Sequence, residues 1–105
     1  MTDYGHDLSF GIFVTPQADA GPHVIELARR AEAAGLDWVS VQDHPYQPAF
    51  LDAWTLLVAI ATATSRIGVF PNVVNLPLRP PAVLARSVAS LDILSGGRVE
   101  LGIPV

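Results

Sequence analysis

Residues 8–42, LSFGIFVTPQADAGPHVIELARRAEAAGLDWVSVQ, carry one complete strand–helix–strand unit, and reading them decides the fold class. Leu8 to Thr15 is a run of apolar and β-forming residues, which predicts a strand. Gly21 and Pro22 then open a helix, since Pro fits the first helical turn, where its missing N–H has no partner to lose. Val24, Leu27, Ala28 and Ala31 recur at helical spacing on one face, opposite Glu26, Arg29 and Arg30. Gly35 closes the helix in the left-handed conformation that a residue without a Cβ adopts most readily. Trp38 to Gln42, WVSVQ, is the next strand.

The same unit then repeats. A loop with Pro45 and Pro48 leads to Asp52, an N-cap for a very apolar helix through about Ala63. Ile67 opens a third strand, IGVFPNVV. A proline-rich loop follows, and Pro80 or Pro81 starts a helix whose buried face is Leu84, Val88 and Leu91. Gly96-Gly97 stops that helix, and Arg98 to Ile103, RVELGI, reads as a fourth strand. The strands start about thirty residues apart, the size of one βαβ unit. Apolar strands alternating with helices imply an α/β fold with a parallel sheet covered by helices. An open doubly wound sheet and part of a TIM-type (β/α)8 barrel both fit this pattern.

A closed barrel needs roughly 250 residues, and this chain has 105. The expectation is therefore a single incomplete domain over residues 1–105, the N-terminal part of a barrel. Its last strand would be a bare edge. Such a chain is expected to be a fragment or to pair with another chain, most simply a copy of itself as a homo-oligomer.

Composition narrows the function. Half of the residues are hydrophobic and 15% are charged, which excludes a wholly disordered chain. The net charge is −4 and the six basic residues are all Arg, without a basic run, so neither nucleic acid nor an anionic membrane surface is an expected partner. Cysteine is absent, which removes disulfides, thiolate metal sites and cysteine nucleophiles, and fits a cytoplasmic location. Residues 1–7 lack the layout of a signal peptide, and the apolar stretch Leu56 to Ala63 is too short to span a bilayer.

Three stretches carry candidate chemistry. Asp43-His44-Pro45 follows the second strand, and the strand ends of a barrel hold its reactive groups. A carboxylate beside an imidazole suits proton transfer near neutral pH, although the same pair can also cap loop backbone. Pro71-Asn72-Val73-Val74-Asn75 leaves a strand through a proline, which predicts a bulge or the end of pairing, and a distorted strand end can form a ligand shelf. Ser95-Gly96-Gly97-Arg98 resembles a phosphate turn but follows a helix and faces no helix N-terminus, so it reads as helix termination. His6 and His23 show no metal-ligand spacing with His44, and no metal site is expected. Trp38 and Trp54 read as packing residues. The two standard nucleotide loops, G-x-G-x-x-G and G-x-x-x-x-G-K, are absent from the sequence.

Taken together, FGIFVTP, ARRAEAAGLDWV, the Asp43-His44 pair, SRIGV, LPLRPPAVLAR and SLDILSGGRVELGI resemble the luciferase-like monooxygenase superfamily, in family order, from about Phe10 to Ile103. The resemblance implies a β/α barrel with a flavin or deazaflavin across its C-terminal mouth and a small-molecule substrate. It implies that His44 is the catalytic histidine and that Asp43, the acidic position before it, shares in catalysis and in cofactor binding. It further implies that Asn72, Val73 and Val74 contact the cofactor, at a bulge where family members carry a non-prolyl cis peptide. Asp43-His44-Pro45 looks more like the coenzyme F420 branch than the Glu-His-His form frequent with FMN. Hydride transfer with F420 is thus the expected chemistry, with FMN-dependent monooxygenation as the alternative. Against both stands a catalytically inactive half-barrel that self-associates. An unrelated hydrolase built on the Asp-His pair has no accompanying nucleophile or metal cluster to support it.

Overall fold

Four residues of Gly11–Val14 form strand β1, Trp38–Val41 form β2, and Gly68–Pro71 form β3, and they pair in that order as one parallel sheet. A computed structural model describes residues 1–104. The register sets Gly11, Trp38 and Gly68 side by side, and likewise Val14, Val41 and Pro71. Helices α1 (Gly21–Ala33), α2 (Ala53–Ala63) and α3 (Pro81–Ser95) connect and follow the strands. Strand side chains alternate between the faces. Val39, Val41, Val69 and Pro71 are buried, with Leu56, Leu57 and Ile60 of α2 and Val24, Ala28 and Ala31 of α1 in the same core. The other face carries Gly11, Phe13, Trp38, Ser40 and Phe70, and Phe13 on it is exposed.

Local chemistry sets the element ends as the sequence predicts. The Asp52 carboxylate accepts from the Thr55 N–H at 2.9 Å and the Thr55 hydroxyl at 2.8 Å, capping α2. Gly35 has φ +87°, and Gly96 and Gly97 that follow α3 have φ +71° and +84°. At the end of the sheet opposite the site described below, the Glu32 carboxylate accepts from the backbone N–H of Ser65, Arg66 and Ile67. Arg98 donates there to the carbonyls of Ala61, Thr64, Ser95 and Ile67. Ser95 to Arg98 is thus a helix stop and an interhelical staple.

The fourth strand that the sequence predicts over Arg98–Ile103 does not form among the described residues. Its segment makes one bridge, Val99 to Val69, flanked by Val69 N–H to the Arg98 carbonyl and Glu100 N–H to the Val69 carbonyl. The next parallel bond would run from the backbone nitrogen of residue 71 to the Glu100 carbonyl, and Pro71 has no N–H to give. Contact resumes with Val74 N–H to the Gly102 carbonyl at 2.8 Å. A Cβ on Gly102 would lie 2.4 Å from the Pro71 carbonyl oxygen, so only glycine permits this approach. On its other side β3 stays paired, and Asn72 N–H donates to the Val41 carbonyl at 2.8 Å.

Candidate active site

The candidate residues gather where β2 and β3 end. Beyond Val41 the chain enters the loop that carries Asp43 and His44, and beyond Pro71 it turns through Asn72-Val73, whose peptide bond is cis. Asp43, His44, Tyr46, Val73, Val74, Asn75 and Pro77 line one open cleft of about 280 Å³ between these loops. Val73 is 41% exposed and offers an apolar surface there, while Val74 is buried. Asn72 goes elsewhere. It lines a separate cleft on the uncovered sheet face with Phe13, Trp38 and Phe70, and its amide lies 3.5 Å from the Ser40 hydroxyl.

Asp43 and His44 are neighbours with opposite surroundings. His44 is exposed, and its ring lies nearly parallel to Tyr46 at 5.3 Å and to Phe50 at 6.2 Å between centroids. Its carbonyl accepts from Gln47 N–H, and the loop is tied to the β1 side by Ala18 N–H to the Ala49 carbonyl and Leu51 N–H to the Pro16 carbonyl. Asp43 is buried, with a side chain 1% exposed. One carboxylate oxygen accepts from Asn75 N–H at 2.9 Å and Arg79 Nε at 2.7 Å, and the other accepts from Arg79 Nη2 at 2.7 Å. The carboxylate is thereby engaged with the β3–α3 loop, and the Asp-His pair is not a hydrogen-bonded dyad.

Arg79 is the residue that sequence reasoning missed, and Asn75, the last residue of the Pro71–Asn75 stretch, gains its tie to Asp43 only in the structure. Arg79 is 18% exposed in its side chain, and its Nη2 also approaches Asp52 Oδ1 at 3.5 Å. The hydrogen bonds that Arg79 donates to Asp43 push the guanidinium above its already high ordinary value, against the opposing effect of burial, and the charges of Asp43 and Asp52 add to the rise. For Asp52 burial acts upward, but the Thr55 N–H and hydroxyl and then Arg79 outweigh it and hold the carboxyl below its ordinary range. A lone Arg in the proline-rich run LPLRPP was the available signal, with an acidic residue after the preceding strand to receive it. His6 bonds the Asp7 carbonyl, His23 is exposed at the start of α1, and neither lines the cleft.

The sequence profile of the luciferase-like monooxygenase family matches residues 5–104. The chain belongs to that family. Luciferase-like relatives of known structure superpose well on this one. The coenzyme F420-dependent tetrahydromethanopterin reductase of Methanopyrus kandleri is similar with a TM-score of 0.79 and 30% identity, over 91% of this chain and 26% of that one. The oxygenating constituent of 3,6-diketocamphane monooxygenase from Pseudomonas putida, a type II Baeyer–Villiger enzyme solved with FMN, is similar with a TM-score of 0.78 and 27% identity, over 91% and 29% of the two chains. An F420-dependent glucose-6-phosphate dehydrogenase of Amycolatopsis mediterranei is 40% identical over 79% of this chain and 27% of its own length. The luciferase-like chain described here therefore spans between a quarter and a third of these relatives. The parallel β/α units are those of a TIM-type barrel, of which part is present. Among the described residues no helix is long and apolar enough to cross a membrane.

Proposed function

We propose that this chain supplies the ring-facing wall of a cofactor site in an oxidoreductase that uses coenzyme F420, and that His44 is its proton donor or acceptor. The observation that carries this reading is the placing of His44 and the exposed Val73 on two sides of one cleft, at the C-terminal ends of parallel strands. The cleft chemistry fits a tricyclic ring. Val73 and Pro77 present apolar surface to a flat face, while His44 and Asn75 supply polar groups for an edge. Among the described residues lining the cleft there is no Lys or Arg, so this segment offers a seat for the ring and not for a phosphate tail.

A bound deazaflavin supplies hydride transfer. His44 would hold the proton that accompanies it, being exposed at the cleft and free of Asp43, with an imidazole that can give or take a proton. Val73 would support one ring face, with Asn72 and Val74 fixing the turn on either side of it. Asp43 would act on the cofactor site through the loop it binds. The choice of F420 over FMN draws on the Asp43-His44-Pro45 form and on F420-dependent relatives such as that from Amycolatopsis mediterranei. The similarity to an FMN-bound monooxygenase favours FMN as the second reading.

A chain that self-associates without chemistry is the alternative, and the exposed Leu8, Phe10 and Phe13 favour it. Fluorescence and absorbance titrations with F420 and with FMN, run alongside light scattering, test both. Saturable binding of either cofactor that His44→Ala or Val73→Asp weakens supports the cofactor site. An oligomer that binds neither refutes it.

A further inference from the structure

We propose that Arg79 is a positioning residue of the cleft: by gripping the Asp43 carboxylate it holds the Val73 shelf in fixed register with His44. This rests on reading the cleft as a cofactor seat. The geometry argues for it from three directions. First, Asp43 immediately precedes His44, so whatever fixes the Asp43 side chain also fixes the backbone from which His44 projects. Second, the carboxylate catches the β3–α3 loop at two points, Asn75 N–H and the Arg79 guanidinium, which bracket the 3₁₀ turn Leu76–Leu78. Val73 lies two residues before the first of these points, and Val74 is tethered from the far side by its N–H to the Gly102 carbonyl. Third, the Asp43 carboxylate is buried at 1% exposure and the Arg79 side chain is half-buried at 18%, so the two short charge-assisted bonds are largely sheltered from water.

The fork of Arg79 matters more than its charge. Nε and Nη2 each reach a different Asp43 oxygen at 2.7 Å, which fixes orientation as well as distance. A lysine ammonium can supply one point contact there but cannot reproduce two parallel bonds. The remaining approach of Nη2 to Asp52 Oδ1 ties the same guanidinium to the capped start of α2. Arg79 thus joins the end of β2, the β3–α3 loop and the α2 terminus.

The test is Arg79→Lys in the full chain, read by amide hydrogen exchange and by binding of F420 and FMN. Exchange at Asn75 and Val74 is expected to rise by about tenfold, as local opening does when one tether is lost. The His44 ring resonances should shift and affinity for the retained cofactor should fall by a similar factor. Exchange at Ile67, held by Glu32 at the opposite end of the sheet, should stay unchanged. Equal acceleration at Asn75 and Ile67 would mean a general loss of stability and would overturn the proposal, as would unchanged exchange at Asn75. A second measurement needs no variant: the Arg79 Nε–H of the wild-type chain should exchange far more slowly than that of the exposed Arg86, and equal rates would refute the clamp. Failure of the wild-type chain to bind either cofactor would sink the cofactor reading alone, since the exchange pattern still decides the clamp.

Discussion

Replacing Asp43 by Asn keeps the shape of the side chain and removes its charge, which isolates what the carboxylate does. Asp43 accepts three hydrogen bonds, at 2.9, 2.7 and 2.7 Å, and all three donors converge on two oxygens. An amide has one oxygen. Its NH2 must then face either Arg79 Nη2 or the Asn75 N–H and Arg79 Nε together, donor against donor. Removing one partner of a buried ion pair costs about 3–5 kcal/mol, because the other charge is left uncompensated. Here Arg79 retains Asp52 at 3.5 Å and some exposure, which places the expected loss near the lower end, about 3 kcal/mol. For a domain of this size that is a fall in melting temperature of roughly 12–24 °C. Urea denaturation of the wild type, Asp43→Asn, Arg79→Met and the double variant forms a double-mutant cycle that reads the coupling directly. A coupling above about 1.5 kcal/mol is expected for a buried charged pair. Asp43→Asn losing less than about 1 kcal/mol, the range of a surface pair, would refute the claim that the carboxylate ties the two loops.

Two further outcomes follow from the same structure. Glu32 is held below its ordinary value of 4.5, first by the Ile67 N–H and, against the upward effect of burial, by the N–H groups of Arg66 and Ser65 and the Arg66 charge. A carboxyl depressed in the folded state adds stability that is present above its unfolded value and lost as pH falls through the folded one, so stability should decline below about pH 4.5 and Glu32→Gln should flatten that decline in pH-dependent denaturation. Gly102→Ala brings a Cβ to 2.4 Å from the Pro71 carbonyl oxygen, so the residue 98–103 segment should shift off β3, with faster exchange at Val74 and a cost of about 1–3 kcal/mol; an unchanged Val74 amide would contradict this.

The pattern of apolar residues made the fold legible because helix and strand periods differ, and because caps are local. Asp52 needs only Thr55 to cap α2, and Gly35 and Gly96 need only their own φ. What the sequence left open depends on partners far apart along the chain. Asp43 finds Arg79 across 36 residues and Glu32 finds Ile67 across 35, and no periodicity connects either pair. The Asp43-His44 pair illustrates the consequence. Read locally, the carboxylate and imidazole suggest a proton-sharing couple. In three dimensions Asp43 is turned inward to an arginine while His44 stands at the cleft beside Tyr46. Pro71 shows the converse case. Its missing N–H predicts an interruption, but which neighbour loses the bond depends on the register, and β3 turns that gap toward residues 98–103 while keeping its pairing to β2. Directly after it, at Asn72-Val73, the two side chains enter different clefts, Asn72 on the uncovered sheet face and Val73 beside His44. A site assembled in this way is a property of the ladder and of one part-buried ion pair together, and a change at Arg79 is therefore expected to reach His44 without touching it.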